Sequence, residues 1–251
     1  MRVFDRRTPK DWRHVEQHPL RGLHGLELPA KVERVLPIPR QYREEYDQGS
    51  EGACVGYSQS WIMSILNRQL YDAFRLYAAA QAIDEWPDTP PQEGTSLRAG
   101  FDVLRTVGHW QVWAGKTRAP KLVHGIESNK WATTVDEVRA SINAGLPVNL
   151  GCNWHDSFSR PENLPRTDDQ GKKPLFGKLR SDWWIGRGDW GDVVGGHAIC
   201  VAAASDARQA FGLVNSWGLD YPFLVWISYD GFSRLLTDDG EAGVIVDRIT
   251  K

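Results

Sequence analysis

One cysteine lies in a setting that favours nucleophilic chemistry. In the stretch DQGSEGACVGYSQSW, Cys54 stands at the first turn of a predicted helix. Its sulfur would point at unpaired backbone N–H groups and at the positive end of the helix dipole, which both favour thiolate over thiol. Gly49 and Gly52 let a ligand approach the backbone closely, and Gln48 supplies a side-chain amide donor. The stretch indicates either a nucleophile or ordinary packing, because a lone cysteine is usually a small buried residue.

A second candidate is a histidine that opens an apolar strand. His197 follows Gly195 and Gly196 in GDVVGGHAICVAAAS. A histidine within an apolar strand is more often a core residue than a catalyst, but this one stands at the mouth of the strand, and the glycines leave space beside it. The other histidines lie in polar or loop-like sequence: His14, His18, His24, His109, His124 and His155. His197 is therefore the best-placed base.

The third candidate is LVNSWG, in which an asparagine ends an apolar strand. Trp217 follows Asn215 by two residues, so the two side chains would lie on the same side of an extended chain. An ordinary turn is the competing interpretation, because Asn, Ser and Gly are common turn formers. Each of the three segments, taken alone, favours such a structural role.

Taken together and in this chain order, the three segments resemble the papain-like cysteine peptidases. QGSEGAC resembles the family's Q-G-x-x-x-x-C, GGHAI resembles its histidine strand, and NSWG is identical to its asparagine motif. EGTSLRAGFDVLRTVG is also similar to the second-helix region of bacterial members. The resemblance runs from about residue 40 to near the C-terminus, with helical sequence first and β-rich sequence second.

The resemblance implies a cysteine peptidase that works through an acyl-enzyme thioester. Cys54 would be the nucleophile, and His197 the base that holds it as an ion pair and later protonates the leaving amine. Asn215 would fix the imidazole through its other nitrogen, and Trp217 would shield that hydrogen bond from water. The side-chain amide of Gln48 and the backbone N–H of Cys54 would form the oxyanion hole.

Several departures from the family pattern leave the substrate preference open. Ala53 and Val55 flank the cysteine where the family usually has serine and tryptophan, and EGTS around Gly94 replaces the glycine pair that usually backs the non-prime subsite. We expect no long inhibitory pro-segment, because the first 40 or so residues are too short to be the usual helical one. The residues expected to line the cleft are Gly52, Gly94, Gly195, Gly196 and Trp217. Cys152 and Cys200 are expected in the core.

Four helices are predicted in the N-terminal half. The first covers CVGYSQSWIMSILNRQL, and the second covers DAFRLYAAAQAIDEW and ends before a proline-rich segment. Thr95 or Ser96 can cap the third, which stops at Gly108. The fourth lies in TTVDEVRASINAG, where Thr134 and Glu137 have capping-box spacing and a glycine stands at the C-cap.

The C-terminal half predicts strands. PVNLGC, HAICVAAAS, AFGLVNSW, FLVWISYD and AGVIVDRI are short, β-branched or alternating, and turn residues separate them. Helices and strands that are segregated in this way indicate an α+β fold. The resemblance implies two lobes with the active-site cleft between them, the second lobe β-rich and barrel-like. The expected divisions are an extended N-terminal arm over residues 1–40, a helical lobe over 41–140 and a β-rich lobe over 141–251.

Composition excludes several other classes of function. The formal net charge is −2 and the basic residues are scattered, which argues against nucleic-acid binding, and no apolar run approaches the length of a membrane span. Three widely spaced cysteines indicate neither a disulfide framework nor zinc, and no metal or cofactor is expected. Since the charged N-terminus has no signal-peptide core, we expect a cytoplasmic protein, or one carried in a virion or other assembly.

The expected partner is a peptide or protein substrate. The N-terminal arm, or the tryptophan-rich loop over residues 154–190, could in addition bind a protein of a larger assembly. One alternative is a catalytically idle papain-like scaffold, for example in a phage particle, although all four catalytic positions keep the required residue types. Another alternative retains the thioester chemistry in an amidase or a transpeptidase.

Overall fold

The computed structural model describes Leu26 and residues 28–84, 93–112, 123–164 and 182–247. Most of the predicted N-terminal arm and the middle of the tryptophan-rich loop therefore lie outside the described residues, as do the prolines expected after the second helix. The described end of the arm contains strand β1 (Glu33–Val35), which pairs with a long strand of the main sheet.

Five α-helices lie in the described parts of the chain: α1 (Cys54–Asn67), α2 (Ala73–Gln81), α3 (Leu97–Thr106), α4 (Val135–Ala144) and α5 (Tyr229–Thr237). The first four lie where the sequence predicted them. Ser96 rather than Thr95 caps α3, and Thr134 accepts a hydrogen bond from the Glu137 N–H at the start of α4. Gly145 takes the left-handed conformation that ends α4. None of these helices is long and apolar enough to cross a membrane.

The other strands, in chain order, are β2 (Leu70–Tyr71), β3 (His109–Val112), β4 (Val123–His124), β5 (Ile126–Ala132), β6 (Val148–His155), β7 (Glu162–Leu164), β8 (Asp182–Trp184), β9 (Val193–Ser205), β10 (Ala210–Val214), β11 (Val225–Ser228) and β12 (Glu241–Asp247). The main sheet has the order β5-β12-β6-β9-β10-β11-β8-β7, with β1 paired to β9, and β2, β3 and β4 form a small second sheet. The described strand pairings of the main sheet are antiparallel, except that β8 and β11 are parallel. The helices and this sheet confirm the predicted α+β class.

Helix α1 is the element around which the helical and β-rich parts of the chain pack. It is buried along most of its length, and it contacts α2 and α3 as well as β6 and β9. Gly56 brings α1 close to α2, since a Cβ atom at this glycine would lie 2.4 Å from the Ala73 carbonyl oxygen. The Asn149 side chain of β6 donates a hydrogen bond to Ser58 Oγ of α1 at 2.8 Å. These contacts fix the position of α1 relative to the sheet.

Several elements have no counterpart in the sequence prediction, among them β5 and α5, and also β7 and β8, which lie within the residues 154–190 predicted as a loop. Strand β5 pairs with β12 at one edge of the main sheet, so the sheet takes a strand from the residues 41–140 assigned to the helical lobe. Helix α5 follows β11 directly, and Ser228 Oγ caps it by accepting a hydrogen bond from the Gly231 N–H at 3.0 Å. The division of the chain at residue 140 stays a prediction.

Candidate active site

Cys54 is the first residue of α1, and its side chain is fully buried. The other described α-helices each have a side-chain oxygen at the N-cap, supplied by Asp72, Ser96, Thr134 and Ser228. The N-cap of α1 is Ala53, whose side chain has no oxygen to accept a hydrogen bond. The N–H groups of this first turn are therefore not engaged by a cap side chain, and they favour negative charge at the helix end.

His197 and Asn215 are joined by a hydrogen bond whose direction is defined by a third residue. His197 lies in β9, and Asn215 directly follows the neighbouring strand β10. Asn215 Oδ1 lies 2.8 Å from His197 Nε2 and 2.8 Å from the Ser216 backbone nitrogen. Because the Ser216 N–H donates, its partner must be the carbonyl oxygen of the amide, and Nε2 must carry the proton that it shares. The ring nitrogen that can exchange a proton with a nucleophile is then Nδ1.

Two tryptophans contact the imidazole of His197. The ring centroids of His197 and Trp217 are 5.2 Å apart with 39° between the ring planes. Trp154 makes a closer, edge-to-face contact, with 4.6 Å between the centroids and 67° between the planes. Both indoles are buried. They exclude water from the hydrogen bond between His197 and Asn215, which strengthens it because the local dielectric constant is low.

Gln48, the predicted oxyanion donor, is held in one orientation. Its Nε2 donates a hydrogen bond to the Glu51 carbonyl oxygen at 2.7 Å, and its Oε1 accepts one from Ser216 Oγ. The Gln48 backbone N–H also donates to the Ser216 carbonyl oxygen at 2.9 Å. An amide nitrogen carries two hydrogens. The N–H that does not bond to Glu51 is the one that would donate a hydrogen bond to a substrate oxyanion.

The loop before α1 and the loop after β10 are joined by further contacts. Arg43 donates from Nε to the Gly218 carbonyl oxygen at 2.8 Å and from Nη2 to the Tyr221 carbonyl oxygen. Asp47 forms an isolated antiparallel bridge with Trp217. Gly218 has a φ of +50°, and a Cβ atom there would lie 2.5 Å from the Asp47 carboxylate. The two loops therefore pack directly on each other, which brings the predicted oxyanion donor next to the predicted triad asparagine.

The glycines predicted to line the cleft fall into two groups. Gly195 and Gly196 are half-buried residues of β9 that directly precede His197, and neither has a side chain that could cover the imidazole. Gly52 is buried and packs closely on the segment before α3, since a Cβ atom at Gly52 would lie 3.1 Å from the Gly94 nitrogen. The structure thus places the first pair beside the histidine and the second pair beside the loop before α1.

The backbone of Gly94 is engaged by side chains of α2. Its N–H donates a hydrogen bond to the Tyr77 hydroxyl oxygen at 3.1 Å, and its carbonyl oxygen accepts one from Gln81 Nε2 at 3.2 Å. A substrate backbone would have to displace Tyr77 to pair with this N–H. The predicted role of Gly94 as a support for the substrate stays a prediction, and the hydrogen bonds to α2 argue that it is a structural anchor.

Cys152 and Cys200 are both fully buried, in agreement with their predicted place in the core. Burial raises the pKa of the Cys200 thiol. In the pairing of β6 with β9, Cys200 lies opposite Asn149. Cys152 lies directly opposite His197 in the antiparallel pairing of β6 with β9, so the two side chains lie on the same face of the sheet. A labelling experiment must therefore separate the response of Cys54 from that of Cys152.

Three residues that support the site have no individual signal in the sequence. Ser216 orients the amides of both Asn215 and Gln48, although it stands inside the NSWG motif. Trp154 contacts the imidazole, whereas the sequence shows it only as part of a tryptophan-rich segment. Tyr77 holds the Gly94 backbone from a neighbouring helix. Apart from the contact of Ser216 with its neighbour Asn215, these contacts join residues that are distant in sequence, which is why spacing rules do not reveal them.

The described residues contain no group of three or more His, Cys, Asp or Glu side chains that could hold a metal ion. They contain a cysteine at a helix N-terminus, and they bring together a histidine with one ring nitrogen fixed by an asparagine and an amide donor held by a serine. This combination can support nucleophilic attack on a carbonyl carbon, with proton transfer through the histidine.

Comparison with known proteins finds one relative with a peptidase name and cysteine proteases of similar fold. No protein-family model matches the chain. An uncharacterized peptidase C1-like protein of Acanthamoeba polyphaga mimivirus is 20% identical over an alignment of 256 positions that covers 86% of this chain and 72% of the viral protein. Xylellain, a cysteine protease of Xylella fastidiosa, superposes with a TM-score of 0.61 at 17% identity, covering 98% of this chain and 91% of xylellain.

A second solved structure, procathepsin B of Trypanosoma congolense, also has a TM-score of 0.61, at 11% identity. The match covers 97% of this chain and 87% of the procathepsin. At these identities the structural likeness concerns the fold. It extends over nearly the whole chain, so the helical and β-rich parts are both included.

Proposed function

We propose that this chain, which has the papain-like fold that its motifs predicted, is a cysteine peptidase with Cys54 as the nucleophile. His197 is the acid–base residue, Asn215 orients it, and Gln48 is an oxyanion donor. The hydrogen bond between His197 Nε2 and Asn215 Oδ1 carries the assignment, because it leaves Nδ1 as the atom that exchanges protons. The names of the peptidase C1-like relative and of the cysteine protease neighbours support the same activity.

In the acylation step, the thiolate of Cys54 attacks the carbonyl carbon of the substrate and forms a C–S bond. The carbonyl π electron pair moves to oxygen, where the Gln48 side chain and the Cys54 backbone N–H donate hydrogen bonds. Donors of this kind contribute about 3 kcal/mol each in other enzymes. His197 Nδ1–H protonates the leaving amine as the C–N bond breaks, which leaves a thioester and a neutral imidazole.

In the deacylation step, a water molecule attacks the thioester carbonyl carbon while His197 Nδ1 accepts one of its protons. The C–S bond then breaks, a carboxylic acid product leaves, and the thiolate and imidazolium of the resting enzyme are restored. Asn215 keeps Nε2 protonated in both steps, so only Nδ1 changes its protonation state. The third residue of a catalytic triad holds the imidazole in one tautomer and one orientation in this way.

A catalytically idle scaffold is the competing hypothesis, and two features argue against it. Helix α1 begins without a capping side chain at Ala53, which lowers the stability of a helix relative to a capped one. Burying the imidazole of His197 also has an unfavourable desolvation term. A protein with only a structural role does not require either feature, whereas a thiol peptidase can use the N–H groups that no cap side chain engages to favour a thiolate at Cys54, and the imidazole to exchange its proton.

The test is alkylation of the full-length chain by iodoacetamide as a function of pH. We expect Cys54 to react rapidly down to mildly acid pH, and the reaction to disappear in Cys54→Ala and to slow in His197→Ala. Cys152→Ala is the matched control, because it removes another buried thiol beside His197, and it should react as the wild type does. Equal labelling of all three cysteines with the pH midpoint of an ordinary thiol would contradict the proposal.

Peptide cleavage separates the peptidase from the idle scaffold. Wild type and Cys152→Ala should cleave members of a peptide library, and Cys54→Ala and His197→Ala should not. A reactive Cys54 without any cleavage would favour the scaffold or an acyl-transfer reaction other than peptide hydrolysis.

A further inference from the structure

Trp154 reaches the imidazole of His197 because of the register between β6 and β9. In this antiparallel pairing, Cys152 lies opposite His197 and Trp154 lies opposite Gly195. Trp154 and His197 are therefore diagonal neighbours, a separation that an aromatic side chain can bridge but most other side chains cannot. The register therefore places a second tryptophan, in addition to Trp217, beside the histidine.

The residues around this diagonal make room for the indole. Gly195 has no side chain, so the cross-strand position opposite Trp154 is left to the indole itself. Cys152, opposite the histidine, is small. The indole of Trp154 is fully buried, and its ring centroid lies 4.6 Å from that of His197, closer than the 5.2 Å of Trp217.

Trp154 is itself held by other aromatic residues. It packs edge-to-face on Trp217, with 5.5 Å between the centroids, and on Phe158, with 5.3 Å. Phe158 in turn contacts Trp190, and its carbonyl oxygen accepts a hydrogen bond from the Tyr221 hydroxyl at 2.8 Å. The indole beside the histidine is therefore part of a packed cluster and has little freedom to move.

We infer that Trp154 is a second positioning residue for His197, acting with Trp217 on the imidazole whose proton transfer the proposed peptidase mechanism requires. The hydrogen bond to Asn215 fixes one ring nitrogen, but it still permits the ring to turn about the line from Nε2 to Oδ1. Two indoles packed on the ring restrict this rotation. They thereby keep Nδ1 directed towards its proton partner, and small errors in such a direction are costly in rate.

This inference rests on the proposed function, because a positioning residue has no measurable role without the reaction. Trp154 belongs to β6, whereas Trp217, which is expected to shield the hydrogen bond, belongs to the asparagine motif. The position of Trp154 also gives one chemical reason for a glycine at position 195, since a side chain opposite Trp154 would compete with the indole for the space beside the histidine.

The experiment compares Trp154→Leu, Trp154→Phe and Trp190→Leu in the full-length chain. Trp190 is the matched control, because it belongs to the same aromatic cluster but its ring contacts are with His155 and Phe158. The two readouts are the rate constant for alkylation of Cys54 by iodoacetamide at mildly acid pH, and kcat and KM for a fluorogenic peptide taken from the cleavage library. Thermal unfolding of each variant shows whether it is folded at the assay temperature.

We expect Trp154→Leu to lower kcat by about tenfold or more with little change in KM, and to slow the alkylation of Cys54. Trp154→Phe should recover most of the rate, since it restores an aromatic ring. Trp190→Leu should remain within about twofold of wild type, although it also loses packing in the cluster.

The outcomes separate this inference from the proposed function. If wild type reacts rapidly and a folded Trp154→Leu variant shows the kcat of wild type, or if Trp154→Phe loses as much kcat as Trp154→Leu, the inference alone is wrong. An equal loss in Trp154→Leu and Trp190→Leu also overturns it, since the effect would then come from the cluster in general. If wild type shows no rapid alkylation of Cys54, the proposed function fails and the inference fails with it.

Discussion

Gln48 and Ser216 are joined by two hydrogen bonds that connect the loop before α1 to the loop after β10. The Gln48 N–H donates to the Ser216 carbonyl oxygen at 2.9 Å, and Ser216 Oγ donates to Gln48 Oε1. The Ser216 N–H donates in addition to Asn215 Oδ1 at 2.8 Å. One serine thus orients both side-chain amides of the site, so the proposed oxyanion donor and the proposed triad asparagine depend on the same residue.

Replacement of this serine should affect the rate more than the binding of substrate. In Ser216→Ala the Gln48 amide loses the partner of its oxygen and can turn its nitrogen away from the oxyanion. We expect kcat to fall by about tenfold, less than the loss measured elsewhere when a donor is removed, with KM nearly unchanged. Ser216→Thr keeps the hydroxyl and serves as the control. A Ser216→Ala enzyme with wild-type kcat would show that Gln48 needs no such support.

Removal of Asn215, the proposed triad asparagine, should misalign the imidazole. In Asn215→Ala, His197 Nε2 loses its acceptor, so either ring nitrogen can carry the proton. We expect kcat to fall by about a hundredfold, measured per titrated active site. Asn149→Ala removes another buried asparagine, whose side chain bonds to Ser58, and it should lower the stability while leaving kcat within about twofold of wild type. Equal losses of kcat in both variants would contradict the triad assignment.

The stability of the protein should fall in acid partly because of His109. Burial, with a smaller contribution from His124, lowers the pKa of His109 to about 3 from an ordinary value of 6.5. Between these pH values the unfolded chain binds a proton that the folded chain does not, so the free energy of unfolding decreases as the pH falls. The full effect is about 5 kcal/mol, reached near pH 3.

Urea unfolding at pH 7, 5.5 and 4 measures this effect. His109→Gln cannot bind the proton, so its free energy of unfolding should depend less steeply on pH than that of wild type. His124→Gln, at a half-buried position, is the control and should keep the steep dependence. If the free energies of unfolding of wild type and His109→Gln change equally with pH, groups other than His109 cause the loss of stability in acid.

A glycine near the nucleophile should tolerate no side chain. In Gly56→Ala the new Cβ atom would lie 2.4 Å from the Ala73 carbonyl oxygen and 2.8 Å from Tyr77 Cβ, so α1 and α2 must separate. Alanine favours the helix by about 1 kcal/mol over glycine, but overpacking of this kind costs about 1–3 kcal/mol. We expect a net loss of stability in urea unfolding. A variant as stable as wild type or more so would mean that the two helices can move apart freely.

The first four α-helices were predictable because their signals are local. Ser96, Thr134 and Gly145 occupy the cap positions that their residue types favour, and a cap involves atoms only a few residues apart. Strand β5 was not predictable in this way, because IESNKWA lies at the edge of the sheet and has four consecutive polar residues, so it lacks the alternation of apolar and polar residues that indicates a strand. Helix α5 is short and shares Ser228 with the end of β11, so no separate signal marks its start.

The sequence by itself determined the residue types and the order of the cysteine, histidine and asparagine motifs, because each motif is a run of adjacent residues. Tertiary structure decided which atoms meet: Ser216 orients the Gln48 amide, and Trp154 lies on the imidazole of His197. These contacts depend on the register between β6 and β9 and on the packing of two loops that are distant in the chain. A shift of one residue in a strand would turn every side chain to the other face, and no local pattern in the motifs encodes that choice.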